Sequence, residues 1–276
     1  MKCIFCGLDS SDSKSVEHII PESFGNSTAI LPKGVVCDQC NNYFGRTIES
    51  PFLNSKAVLL LRQELQLQKK NGKVLNLSEY PFADNIIKQV SDQHYLVYTR
   101  DDMSEEMVHN SVVKYQCYVE ETDNELLKPN IHMSRMLGKM ALEAFVFRWG
   151  VESGVCDYIR ENNGFKPLRM YVRFDSRKMW EYSSRRIYSR ARSYNGDPNT
   201  QVNWEYDFLF LPNGEVYFII SMHGIEYAIN MGGSTIEGYI DWLKRNNGVS
   251  PLYISAEKRE RCFKGYREKI DLLNKL

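Results

Sequence analysis

The chain carries no excess of charge of either sign. Its 35 Lys and Arg balance 35 Asp and Glu over 276 residues. No global field therefore draws it to nucleic acid, and any such contact has to come from a local patch. Long hydrophobic runs are missing as well. Ala57-Val58-Leu59-Leu60-Leu61 falls far short of the roughly 18 apolar residues of a membrane span. The opening Met1-Lys2-Cys3-Ile4-Phe5-Cys6 does not have the apolar stretch of a signal peptide. The expectation is a soluble, cytoplasmic protein with no membrane contact. Internal repeats and low-complexity tracts are absent, and a composition 43% hydrophobic and 12% aromatic excludes a disordered chain.

What is present is concentrated near the start. Cys3 and Cys6 form one CxxC pair, and Cys37 and Cys40 form a second, 30 residues on. In a reducing compartment such pairs indicate zinc or redox chemistry rather than disulfides. A redox CxxC stands singly at a helix start, whereas two pairs can clamp the two sides of one tetrahedral ion. Four thiolates fill that ion's coordination, so the zinc they imply is structural. The spacing exceeds that of a simple zinc ribbon and leaves room for a β-hairpin inside the knot. A segment this small needs such a staple, worth about 10–16 kcal/mol in finger peptides. Cys117, Cys156 and Cys262 stand alone and read as buried small hydrophobes.

Further along, residues 52–70 read as a helix stopped by Asn71-Gly72, and residues 134–149 as a strong helix capped by Ser134 and ended by Gly150. A short helix is expected from Val155 to Arg160. Strand signals occur at Tyr95–Tyr98, at Val112–Tyr115 and, by alternation, at Leu168–Phe174. Pro212-Asn213-Gly214 between Tyr206–Phe210 and Glu215–Ile220 marks a hairpin. Gly224–Ile229 adds a strand, and helices are expected over Thr235–Arg245 and from Ala256 onward. The fold class is α+β: a small zinc-stapled module, then a larger α+β domain with an antiparallel sheet and helices. The boundary falls near 50–75, with the module taken as 1–60 and the remainder as 61–276.

Inside the loop of the knot lies Val16-Glu17-His18-Ile19-Ile20-Pro21, a short apolar strand with two adjacent ionisable side chains. Neighbours on a strand point to opposite faces, so the two can serve different tasks. A lone His in apolar surroundings is more often a core residue. Here Asn41 and Asn42 follow the second cysteine pair at a helix start, where a side-chain carbonyl would face the hairpin.

Together, Cys3-x2-Cys6, Glu17-His18-Ile19-Ile20-Pro21-Glu22-Ser23-Phe24-Gly25 and Val36-Cys37-Asp38-Gln39-Cys40-Asn41-Asn42-Tyr43-Phe44-Gly45 resemble the HNH endonuclease family, in its zinc-bound ββα-metal branch. The resemblance covers roughly residues 1–50. It implies that His18 is the general base that activates water against a phosphodiester. It implies that Glu17, where relatives often carry Asp, and Asn41 hold a divalent cation, Mg²⁺ or Mn²⁺, with Asn42 the alternative to Asn41. The middle Asn of the motif is placed only approximately; Asn26 is the nearest candidate, as a loop-shaping residue. Restriction and anti-phage defence follow by analogy alone.

Residues 169–192 hold Arg169, Arg173, Arg177, Lys178, Arg185, Arg186, Arg190 and Arg192 against only Asp175 and Glu181, a net +6. Tyr171, Trp180, Tyr182 and Tyr188 are interleaved. Arginine forks suit phosphate and aromatic rings suit bases. Arg173, Arg177, Lys178, Arg185, Arg186 and Arg190 are therefore candidate nucleic-acid contacts, with a solvated face paired to acids elsewhere as the alternative. The leading expectation is a metal-dependent nuclease acting on nucleic acid, DNA before RNA. The second is a zinc-stabilised module that binds nucleic acid or protein and retains vestigial nuclease residues. A homodimer and a regulatory protein partner are both left open.

Overall fold

The computed structural model describes residues 1–24, 26, 28–64, 86–91, 94–98, 104–174, 178–187 and 204–253. The N-terminal segment begins with the first CxxC turn, closed by the bridge between Lys2 and Asp9. Strands β1 (Glu17–His18) and β2 (Ile30–Leu31) pair antiparallel, with Glu17 opposite Leu31 and His18 opposite Ile30. The second cysteine pair opens helix α1 (Asp38–Phe44), and the Cys37 sulfur caps it by accepting from the Cys40 N–H. The helix widens into a π turn over Gly45–Glu49 and continues as α2 (Ser50–Leu53). Such widenings often sit at functional sites.

Helix α3 (Lys56–Glu64) follows a break at Asn54 and Ser55. The expected helix over 52–70 is thus two helices, and its part beyond residue 64 lies outside the described residues. Strands β3 (Ile86–Ser91) and β4 (His94–Tyr98) form a hairpin. Helix α4 (Glu105–Leu127) is capped by the Ser104 hydroxyl. It absorbs Val112–Tyr115, which the β-branched residues suggested as a strand. A capped 23-residue helix overrides that local preference.

Helix α5 (Ile131–Trp149) is the centre of the molecule. Every residue from Met133 to Val146 is buried, as expected of a helix covered on all sides. Helices α6 (Val155–Glu161) and α7 (Lys166–Phe174) pack beside it. The region 168–174 is therefore helical rather than the expected strand. Its apolar residues satisfy both periods, and burial of Leu168, Tyr171 and Val172 at i, i+3 and i+4 decides for the helix.

Strands β5 (Tyr182–Arg186), β6 (Trp204–Phe210), β7 (Val216–Met222) and β8 (Ile225–Asn230) form an antiparallel sheet in the order β5-β8-β7-β6. Gly214, at φ +89°, makes the β6–β7 turn. One sheet face lies on α5, while the other packs Tyr217, Ile219 and Ala228 on helix α8 (Glu237–Arg245) through Tyr239 and Leu243. The helix expected beyond Ala256 lies outside the described residues. One apolar core runs from Cys3 through α5 to Met231, just past β8, at about 1.5–3 kcal/mol per large side chain buried. Among the described residues no helix is long and apolar enough to cross a membrane.

Candidate active site and metal centre

The four cysteines converge. Their sulfurs all lie within 4.8 Å of one another, and among the described residues no other three His, Cys, Asp or Glu side chains come close enough to share an ion. Cys6 and Cys37 sulfurs are 3.7 Å apart, close to the edge of about 3.8 Å expected for a tetrahedron with zinc–sulfur bonds near 2.3 Å. None of the four is in a disulfide. Crowding divides their acidities. The hydrogen bond from Cys40 pulls the Cys3 thiol down to about 5, and the same bond pushes Cys40 far up. Burial raises Cys6 to about 11. Thiolates this close repel, and a dication would relieve that repulsion, so the donor set fits structural zinc.

Two neighbours support the cluster. Arg173 donates from Nε to the Cys40 sulfur at 3.2 Å and lays its guanidinium 4.4 Å from the centre of the Tyr43 ring. Asp38, in the first turn of α1, accepts from the backbone N–H groups of Lys14 and Ser15 and from the Ser15 hydroxyl. These bonds hold its carboxyl below the usual range. They also tie the segment entering β1 to the helix that carries Cys40 and Asn41.

The hairpin inside the knot is shaped by Asn26, which is 1% exposed. Its amide nitrogen donates to the carbonyls of Ile20 and Ala29 at 2.8 and 3.0 Å. Its oxygen accepts from the N–H groups of Thr28 and Ala29 at 3.0 and 2.9 Å. On β1, Glu17 is buried and His18 half-buried. The His18 Nδ1 is buried without a hydrogen-bond partner. Asn41 is half-exposed on α1, and its amide nitrogen donates to the Val16 carbonyl at 2.9 Å. The amide nitrogen, rather than the expected carbonyl, therefore faces the hairpin, and the oxygen at the other end of the amide is turned away from Val16. Asn42 is exposed.

Glu17 has a partner that the sequence did not indicate. Its Oε1 lies 2.6 Å from Nζ of Lys139, on α5, which is fully buried. The same ammonium meets Glu143 at 2.9 Å and Glu49 at 3.1 Å, and donates to the His18 carbonyl at 3.2 Å. Burial pushes the Glu17 carboxyl up, and Lys139 opposes that shift. Burial raises Glu143 well above the carboxylate range. Burial alone would favour neutral Lys139, but the three carboxylates outweigh it and keep the ammonium charged. Glu17 Oε2 and Glu143 Oε1 are buried without partners. One signal for this cluster was in the sequence: Lys139 and Glu143 sit four apart within an otherwise apolar helix segment, a place where charges require partners.

Among the described residues, the basic stretch is dispersed. Arg173 is at the cysteine cluster, as above. Arg185 pairs with Glu226 at 2.5 Å and donates to the Gly248 carbonyl, and Arg186 forks onto Asp123. Lys178 is exposed and lines a cavity of about 320 Å³ with Tyr171, Phe174 and Trp180. Arg177 and Arg190 lie outside the described residues. Comparison with curated proteins and with solved structures gives no match. Residues 3–57, the segment that holds the cysteine site, the hairpin and the helix carrying Asn41, match the family model described as HNH endonuclease.

Proposed function

We propose that the protein is a metal-dependent HNH endonuclease that hydrolyses phosphodiester bonds in DNA, with residues 1–60 as its cleavage module. One observation carries the reading. Glu17 and His18 sit side by side on β1 inside the cysteine knot, and Asn41 of α1 is bonded to the backbone of the residue just before them. Their donors suit a hard cation: Glu17 keeps one unpartnered carboxylate oxygen, and the amide oxygen of Asn41 faces away from Val16. Mg²⁺ and Mn²⁺ favour such oxygens. Bound there, the ion would neutralise charge on the scissile phosphate and on the departing oxygen.

The chain's own residues supply the rest. The His18 imidazole takes a proton from water as the water oxygen forms a bond to phosphorus and the phosphorus–oxygen bond to the leaving strand breaks. A base so placed contributes roughly 10²–10⁴-fold. The cysteine site holds the hairpin and helix in register and takes no part in the chemistry. The nucleic acid itself is left to local positive groups, of which Lys178 is exposed beside aromatic rings.

A second reading is favoured by the tie between Glu17 and Lys139: a module that binds nucleic acid without cutting it. One assay separates the two. Wild-type protein with plasmid DNA and Mg²⁺ or Mn²⁺ is expected to nick and linearise the plasmid. His18→Ala is expected to lower the rate at least about 100-fold. Equal behaviour of the two proteins would sink the nuclease reading, and retention of plasmid without cleavage would support the second.

A further inference from the structure

The side-chain nitrogen of Lys139 has no solvent contact. An ammonium has three protons to donate, and four acceptors from three parts of the chain surround it: Glu17 and the His18 carbonyl on β1, Glu49 in the π turn, and Glu143 on its own helix. Buried ion clusters of this kind are poor stabilisers. Apolar side chains of equal volume hold a core together as well or better, and α5 is otherwise built of such side chains. Packing therefore does not account for Lys139. Nor do the three carboxylates form an ion site, since they do not converge as the cysteines do. What the ammonium does touch is the backbone and side chain of the two residues at the proposed cleavage centre. It holds Oε1 of Glu17 and leaves Oε2 unpartnered.

We propose that Lys139 is a positioning residue of that centre. It fixes the Glu17 carboxylate in one orientation, with Oε2 presented to the cation, and anchors β1 at His18. The inference rests on the nuclease reading. The alternative is that the ammonium stands in for the cation and excludes it. Partners that orient a metal-binding side chain are typically worth 10–100-fold in affinity, and the two views give opposite signs.

The test measures Mn²⁺ binding to the full chain through the decrease of the free-ion electron paramagnetic resonance signal, with zinc content and thermal melting recorded alongside. Two variants are used: Lys139→Gln, and Lys139→Met combined with Glu143→Leu, which replaces the helix pair by apolar groups. Leu137→Ala, on the same helix and fully buried, serves as the control for general loosening. Lys139 variants that keep their zinc are expected to bind Mn²⁺ about 10–100-fold more weakly, whereas Leu137→Ala lowers the melting temperature and leaves Mn²⁺ binding unchanged. Zinc-replete Lys139 variants that bind Mn²⁺ as tightly as wild type, or more tightly, overturn the proposal. Loss of zinc from both variants overturns it as well, because Lys139 would then serve folding first. A wild-type protein that neither binds Mn²⁺ nor cuts DNA would instead remove the nuclease reading beneath it.

Discussion

Asn26 uses its whole hydrogen-bonding capacity on the backbone of one hairpin. Two donors and two lone pairs meet four backbone groups, which is all an amide can satisfy. Removing the side chain strands buried carbonyls and N–H groups, each at about 1–3 kcal/mol. Asn26→Ala should lower stability by about 2–4 kcal/mol, read as a shift of the urea midpoint with an unchanged slope. A shift within error would mean that water replaces the amide there. At this scale the sequence was informative about chemistry that lies close along the chain. Two CxxC turns define most of a tetrahedron by themselves, and an Asn next to the last Cys follows the same local rule. Lys139 and Glu143, four apart in an apolar helix segment, could be read as charges in need of partners, but their ties to Glu17 and Glu49 could not, because those form only once the fold brings distant segments together. Arg173 and Arg185 illustrate the converse. A run of arginines looks like a phosphate-binding face until the fold assigns its members to a sulfur and to a buried glutamate.

Helices α5 and α7 meet at Gly138. A Cβ there would lie 2.9 Å from Cγ2 of Val172 and 3.1 Å from Cδ1 of Leu168. Alanine is favoured over glycine in a helix by about 1 kcal/mol, but overpacking costs about 1–3 kcal/mol, and a β-branched Val in a helix has little freedom to turn aside. Gly138→Ala should therefore destabilise by about 1 kcal/mol, and in a Val172→Ala background the same change should cease to destabilise. A double-mutant cycle by chemical denaturation checks both, and additivity would mean that the helices separate to accept the methyl. The body of α5 and the β6–β7 hairpin around Pro212-Asn213-Gly214 were readable, although α5 begins at Ile131 under an Asn130 cap rather than at Ser134. Where two periods fit the same letters, as in Leu168–Phe174, burial against α5 made the choice. Where β-branched residues fell inside a capped helix, as in α4, length won.

The cysteine site and the sheet share one core through α5. A zinc ion held by the four cysteines would therefore brace more than the segment it touches. Chelation, or Cys37→Ser, should lower the temperature of a single calorimetric transition and bring tryptophan fluorescence down with it, because Trp149 and Trp180 belong to that core. Two separate transitions, with the tryptophan signal unmoved by chelation, would show that the zinc segment melts on its own. The α+β class and the order of the parts were legible from period and punctuation. The central place of α5 was not, since a helix that is apolar all round says that it is covered without saying by what.

The buried lysine also bears on how such a protein can be rearranged. In sequence, the first sixty residues look like a cassette that recombination could lift out and join to another chain. In space, the acids of that cassette, Glu17 and Glu49, share a base that stays behind on α5. A fusion made at residue 60 would inherit two carboxylates and leave their counter-charge in the donor. A workable exchange would have to carry α5, or find a recipient that already offers a cation in its place.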